Sequence, residues 1–345
     1  MDVVKKLLDG HRLTKGEYTE LLGLFGDAQT GARLKTEAVR IRRIYYGNTV
    51  FIRGLIEFTN YCRNNCYYCG IRRGNHCVSR YRLNCEEILE CCCEGYALGF
   101  RTFVLQGGED PYFTDEKIEE ILRNIRHFWP DCAVTLSVGE KSRESFRRFR
   151  EAGAERYLLR HETADEDHYR KLHPQNMSLT FRKQCLYDLK SLGYQTGAGF
   201  MVGSPGQTAE TLAEDLLFLQ KLKPHMVGIG PFLPHRATKF AEEPAGSAEL
   251  TLFLLAVIRI MLPKVLLPAT TALLTRDIQA KERAMEAGAN VLMLNLSPLS
   301  RRKDYEPYDQ KRYTGTEAAE GLTQLTAEMK FAGWNVISER GDCVW

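Results

Sequence analysis

Three cysteines stand at C-x3-C-x2-C spacing in Phe58-Thr-Asn-Tyr-Cys62-Arg-Asn-Asn-Cys66-Tyr-Tyr-Cys69-Gly70, directly after an apolar run from Thr49 to Phe58. Three thiolates on one short loop can converge on one inorganic centre. Zinc would close such a site with a fourth protein ligand. A four-iron cluster held by three thiolates instead leaves one iron open to a small molecule, and thiolate donors suit both metals. A zinc knuckle, or simple crowding in a cysteine-rich chain, competes with the cluster on spacing alone. Further on, Gln106-Gly107-Gly108-Glu109-Asp110-Pro111 places two glycines where main-chain groups can approach a ligand closely, or where the chain merely turns. Arg160-His161-Glu162-Thr163 sets a guanidinium beside a carboxylate. That pairing suits a zwitterionic amino-acid ligand, or forms a surface ion pair of little weight. Met201, in the glycine-dense stretch Gly197 to Thr208, packs either on a flat ring or in the core, and Thr270 and Thr271 offer hydroxyls to a ligand or to a helix cap.

These residues need a scaffold that brings strand ends together. Strand patterns run over Thr49–Phe58, Thr102–Gln106, Ala133–Ser137, Arg156–Leu159, Gln195–Met201, Met226–Ile229, Leu266–Ala269 and Val291–Leu294. Helical patterns lie between them: Glu86–Leu98, Asp115–Phe128, Arg143–Ala152, Leu179–Leu192, Ala209–Leu222, Leu250–Leu262 and Ile278–Ala287. Gly99, Gly153, Gly193 and Gly288 each fall where a helix must stop before the next strand. Thr14 before Glu17 and Asn84 before Glu87 read as helix caps. The alternation predicts an α/β fold, a (β/α)8 TIM-type barrel, with a doubly wound sheet as the alternative. Residues 1–45 read as a helical lead-in, and 46–345 as the barrel with a C-terminal extension. In such a barrel the chemistry sits at the C-terminal strand ends, which is where the residues above fall.

The 47 basic and 44 acidic residues are interspersed and leave a net charge of +3, so neither a nucleic acid nor a membrane surface is expected as partner. The apolar run Leu250 to Leu262 contains Arg259 and is too short to span a bilayer. The first residues, Met-Asp-Val-Val-Lys-Lys, lack the apolar core of a secretory signal. Eleven cysteines, an odd number including Cys91-Cys92-Cys93, point to a reduced, cytoplasmic chain.

The triad, with aromatic Tyr68 before its last cysteine, resembles the signature of the radical S-adenosylmethionine (SAM) superfamily. The segments Tyr81-Arg82-Leu83, Leu105 to Tyr112, Arg156 to Thr163, Gly197 to Gln207, Gly228 to His235 and Pro268 to Thr271 narrow the likeness. Across about residues 40 to 310 the chain resembles the HydE-type maturases of [FeFe]-hydrogenase, within the biotin-synthase-like group.

That resemblance implies a [4Fe-4S] cluster on Cys62, Cys66 and Cys69, with SAM on its open iron and reductive cleavage to methionine and a 5′-deoxyadenosyl radical. It implies that Gly107-Gly108-Glu109 receives the SAM amino group. Tyr68, Gln106, Arg160, Glu162, Arg182 and Met201 would line the SAM region, and Thr270, Thr271, Tyr305 and Tyr308 the substrate side. It further implies assembly of the diiron subcluster of the hydrogenase active site, on an iron–carbonyl–cyanide complex of cysteine. The partners would be a second radical SAM maturase and a scaffold GTPase. A methylornithine synthase, which shares the Gly-Glu-Asp-Pro-Tyr run, is the rival within the superfamily; a non-catalytic metal-binding scaffold is the rival outside it. Biotin synthase would need further ligands for an auxiliary cluster. Three features depart from relatives: Gly107 where some carry serine, Arg301 where tyrosine is common, and Asp309-Gln310-Lys311 in place of a Pro-Gly turn. The tail after Arg301 holds only Cys343, so one cluster is expected and no second.

Overall fold

The apolar run after residue 48 forms an eleven-residue strand, β1 (Thr49–Thr59), buried along nearly its whole length. The structure is a computed structural model and describes residues 2–277, 279–311 and 317–344. Further strands are β2 (Thr102–Gly107), β3 (Ala133–Ser137), β4 (Ala154–Leu158), β5 (Gln195–Ala198), β6 (Met201–Val202), β7 (Met226–Val227), β8 (Gly230–Pro231), β9 (Val291–Asn295) and β10 (Asn335–Ile337). β1, β2, β3, β4, β5 and β7 pair in that order, all parallel. Leu266 then bridges Met226, Pro268 bridges Val291, and β9 returns to lie parallel against β1. The circuit of eight strand positions is therefore closed, as the alternation predicts. β10 runs beside Thr49–Phe51, and β6 pairs with β8 above the rim.

Helices separate the strands because parallel neighbours need a crossover. The lead-in is α1 (Val3–Leu8), α2 (Lys15–Gly23) and α3 (Ala28–Tyr46). The outer ring is α4 (Cys85–Ala97), α5 (Asp115–Phe128), α6 (Arg143–Ala152), α7 (Glu166–Leu172), α8 (Leu179–Ser191), α9 (Ala209–Leu222), α10 (Ala248–Met261), α11 (Thr271–Arg276) and α12 (Ala280–Glu286), with α13 (Leu299–Arg302) and α14 (Ala318–Phe331) following the last barrel strand. The predicted start of α12 at Ile278 lies outside the described residues. Thr14–Glu17 and Asn84–Glu87 both form reciprocal capping boxes. Gly153, at φ 121°, ends α6, and a Cβ there would stand 2.2 Å from Arg126 Cγ.

The lead-in covers two barrel helices. Tyr18 Oη donates to Gln220 Oε1 at 2.9 Å, and the Phe25 and Phe253 rings meet edge-on at 5.7 Å. Arg42, fully buried, donates to the carbonyls of Ala289, Gly47 and Thr49 at 2.7–2.9 Å. α10 is buried on every side from Thr251 to Ile260. No described helix is long and apolar enough to cross a membrane.

Two expected strands break, and one is shorter than a ladder. The run Gln195–Met201 stops at Ala198, because the Gly199 carbonyl accepts from His161 N (2.8 Å) and Glu162 N (3.1 Å) in the turn after β4. A Cβ on Gly199 would stand 1.9 Å from the Gly228 carbonyl oxygen, so the two chains touch backbone to backbone. Met226–Ile229 breaks at the same Gly228. Leu266–Ala269 appears only as bridges, consistent with Pro268 having no N–H to donate.

The exit of β2 is fixed to β1 by one carboxylate. Asp110 accepts from Thr59 Oγ1 (2.8 Å), from Arg82 Nε and Nη2 (2.7 and 2.9 Å) and from Tyr112 N (3.0 Å). Burial opposes its charge, but the hydrogen bonds from Arg82 and Thr59 win and hold its carboxyl below the ordinary 3.8. A group with a depressed folded pKa contributes stability above its unfolded pKa and loses it as pH falls. Asp110→Asn is therefore expected to cost about 1.5–3 kcal/mol in urea unfolding at neutral pH. The difference from wild type should shrink as the pH is lowered below the ordinary value; a gap unchanged by acid would show that the carboxylate's charge is irrelevant here.

Candidate active site

At the C-terminal strand ends lies a cavity of about 360 Å³, and every residue expected to hold the cluster, SAM or the substrate lines it. Cys62, Cys66, Cys69 and Tyr68 form one wall. Their loop contributes no strand or helix, and is tied at several points: Arg63 N to Glu109 O (2.8 Å), Tyr67 N to Leu172 O (3.0 Å), Gly70 N to Pro307 O (2.7 Å) and Arg73 N to Asn64 O (2.8 Å). Tyr68 Oη meets His173 Nε2 at 3.2 Å, and Nδ1 of that ring faces the Tyr169 carbonyl at 3.0 Å. Burial holds His173 down to about 3, so the imidazole is neutral: Nδ1–H donates to Tyr169, and Nε2 accepts from Tyr68.

Burial pushes the thiols of Cys62 and Cys66 up, and that of Cys69 to about 12, and Cys66 is raised further by its two cysteine neighbours. Without a cation these thiols keep their protons, and metal binding must displace them. Among the described residues, the His/Cys/Asp/Glu group whose ligand atoms all lie within 4.8 Å of one another is His235, Glu306 and Asp309. The three triad sulfurs are not gathered that closely. The His235 group is an ion-pair latch: Nδ1 accepts from Ala237 N (3.0 Å), leaving Nε2 to face Asp309 Oδ1 (3.7 Å) and Glu306 Oε2 (4.0 Å), while Arg236 holds both carboxylates.

The β2 exit presses on the cysteine loop. A Cβ on Gly108 would stand 2.1 Å from the Tyr61 carbonyl oxygen and 2.8 Å from Cys62 Cβ. One on Gly107 would stand 2.7 Å from Thr59 Cγ2, so serine there would require Thr59 to shift. The Glu109 carboxylate is occupied by Arg63 Nε (3.0 Å) and Glu140 N (2.9 Å). Gln106 Nε2 reaches Tyr305 Oη at 3.4 Å.

The third wall carries both signs of charge. Arg160 Nη2 lies 3.0 Å from Glu162 Oε2, and Arg182 Nε 2.7 Å from Glu140 Oε1. Of these residues Arg160, Glu162 and Arg182 line the cavity, while Glu140 stands behind Arg182. A carboxylate and two guanidinium groups at one cavity wall fit a ligand bearing an amino group and a carboxylate, as SAM does. Burial opposes the Arg182 charge, but Glu140 and its neighbours more than offset this and keep it ionised. Glu162 adopts φ 65°, a left-handed conformation rare for a side-chain-bearing residue. Its N–H and carbonyl are held by Gly199 O and Met201 N, which sets Glu162 and Met201 side by side in the wall.

Thr270 Oγ1 donates to the Ile229 carbonyl at 3.0 Å, so that hydroxyl is used by the fold; it makes no cap bond to α11. Thr271 opens α11 at the cavity. Tyr305 is buried and Tyr308 lines the same side.

Two wall residues escape the sequence reading. Glu57 and Lys311 form a buried ion pair, with Asn295 Nδ2 donating to Glu57 Oε2 (2.8 Å) and Lys311 Nζ to the Tyr305 carbonyl (3.0 Å). Gln310, at φ 58°, takes the left-handed turn position that directs Lys311 inward. Period-two alternation along β1 could have exposed Glu57, which shares a face with Arg53 and Leu55. Behind Arg160, buried His161 Nε2 meets Asp215 Oδ1 at 3.2 Å, and burial drives both towards their neutral forms.

Residues 56–219 match the family model of the radical SAM superfamily. The chain is 49% identical over 274 residues to the [FeFe] hydrogenase maturase subunit HydE of Thermotoga maritima, covering 79% of this chain and 78% of that one. It is 29% identical over 308 residues to the 3-methylornithine synthase of Methanosarcina acetivorans, covering 89% and 86%. A solved methylornithine synthase superposes with a TM-score of 0.85 at 28% identity, over 97% of both chains. With an α/β barrel, a three-cysteine loop at its mouth and this degree of identity, the chain belongs to the HydE family of radical SAM enzymes, which work with a [4Fe-4S] cluster and SAM.

Proposed function

We propose that this enzyme acts in maturation of [FeFe]-hydrogenase, in assembly of the diiron subcluster, on an iron–carbonyl–cyanide–cysteine precursor received from a second radical SAM maturase and passed on to a scaffold GTPase. The observation that carries this reading is the shared cavity, where the triad, the charged third wall and the threonine–tyrosine side face one space. Its weight over the methylornithine synthase reading comes from identity, 49% against 29%.

In this reading Cys62, Cys66 and Cys69 hold the cluster. When bound and reduced, the cluster and SAM supply a 5′-deoxyadenosyl radical. The main chain at Gly107-Gly108-Glu109 and the Glu162 carboxylate take the amino group, and Arg160 and Arg182 the carboxylate. Tyr68, Gln106 and Met201 fix the rest of the cofactor. Thr271, Tyr305 and Tyr308 face the substrate, while Thr270 shapes that wall through its bond to Ile229 O.

Anaerobic reconstitution should give about four irons per chain, and alanine at Cys62, Cys66 or Cys69 should abolish the cluster's absorbance and SAM cleavage while the chain stays folded. A variant that still cleaves SAM would refute the ligand assignment. Glu162→Gln should keep the cluster spectrum but weaken SAM binding about ten- to hundredfold, the worth of a charge-assisted bond; unchanged binding in a titration would make Glu162 purely structural. Thr271→Val should lose hydrogenase maturation in a coupled assay but retain SAM cleavage, and survival of both would take Thr271 out of the substrate side.

A further inference from the structure

From Phe58 to Cys85 the chain carries five arginines and His76 but no aspartate or glutamate. Acidic residues make up about one in eight of the whole chain, so roughly three or four would be expected in such a stretch. Part of this positive charge is neutralised: Arg63 pairs with Glu109 and Arg82 with Asp110. Arg72 and Arg80 direct their N–H groups to backbone carbonyls, which satisfies hydrogen bonds but cancels no charge. Arg73 and His76 are exposed, and no ion pair holds either among the described residues.

Arg73, His76 and Arg80 line a second opening. An open groove of about 240 Å³ is lined by Tyr61, Cys62, Arg73, His76 and Arg80, among others. Cys62 also lines the internal cavity. One triad cysteine therefore forms part of the wall between the reaction chamber and a basic groove open to solvent. SAM cleavage consumes one electron per turn, and the internal cavity, filled by cofactor and substrate, has no room for a protein that delivers it.

We propose that the Arg73–His76–Arg80 groove is the docking surface for an acidic one-electron donor protein, delivering its electron past Cys62. The proposal rests on the assignment of Cys62, Cys66 and Cys69 as cluster ligands. One electron leaves the donor, which is oxidised, and reduces the cluster. The same electron then breaks the S–C5′ bond of SAM, giving methionine and the adenosyl radical, with no proton required. Complementary charge would act mainly on encounter rate and orientation, so the contact should be sensitive to salt.

The test uses the full reconstituted chain and, as probe, a bacterial ferredoxin of net negative charge. Binding is titrated at about 50 and 300 mM salt, and SAM cleavage is measured with ferredoxin and, separately, with dithionite. Placing two negative charges in the groove with Arg73→Glu/His76→Glu should weaken ferredoxin binding and slow ferredoxin-driven cleavage about tenfold at low salt, leaving dithionite-driven cleavage unchanged. Arg73→Lys should behave as wild type. Wild-type ferredoxin affinity in the double variant would overturn the proposal, as would an equal fall with both reductants in the milder Arg73→Gln variant. If wild type fails to cleave SAM with either reductant, the cluster assignment falls, while the binding titration still decides the docking surface.

Discussion

Three thiolates grip a cluster at lower entropic cost when the loop carrying them is already ordered, and this loop has neither ladder nor helix to stiffen it. Arg80 supplies much of the stiffness. Its guanidinium donates to the carbonyls of Asn60, Ile71, Arg72 and Asn75, four points on both sides of the triad. A planar, always-donating fork is suited to gathering several carbonyls at once, which a single ammonium would do less well. Asn60 adds a second tie, donating to Ser79 O and Asp304 O. The position of the cysteines is thus set by polar bonds to backbone, and the barrel only presents the loop.

The rest of the chamber is built on that fixed loop. Gly108 lies against it because no side chain fits between β2 and Tyr61. Gly70 is equally constrained, since a Cβ there would stand 2.3 Å from both the Glu306 carbonyl and His235 Cδ2. The segment after β9 closes the far side through Gly70–Pro307, Arg236–Asp309 and Lys311–Glu57. A buried pair such as Lys311–Glu57 is weak evidence for stability but strong evidence for register, because neither charge can be left alone in that place.

Much of this was legible in the residues, for identifiable reasons. Alternating strand and helix patterns are long-range regularities, and capping pairs such as Asn84–Glu87 are local chemistry, so both survive folding unchanged. Boundaries failed where tertiary contact overrode local pattern. Gly199 reads as strand, but its carbonyl is taken by the turn after β4. α7 escaped notice because its seven residues are mostly charged or polar, with too few turns to show a period. In the chamber, the cysteine triad and the Arg160–Glu162 pair announce their chemistry through residue type. Lys311 and Glu57 do not, being 254 positions apart, and His161–Asp215 joins a strand exit to a helix with no motif between them.

The burial of α10 has a consequence for how this fold can be divided. A barrel helix normally keeps one polar face for water, yet α10 is covered on its outer side as well, by α3 and by Phe25 of the lead-in. The first forty-odd residues therefore form a second hydrophobic layer over part of the barrel, so they cannot be exchanged as an independent module. Any ancestor or relative lacking them would have needed a different sequence along α10, with charge where this chain has leucine, phenylalanine and isoleucine.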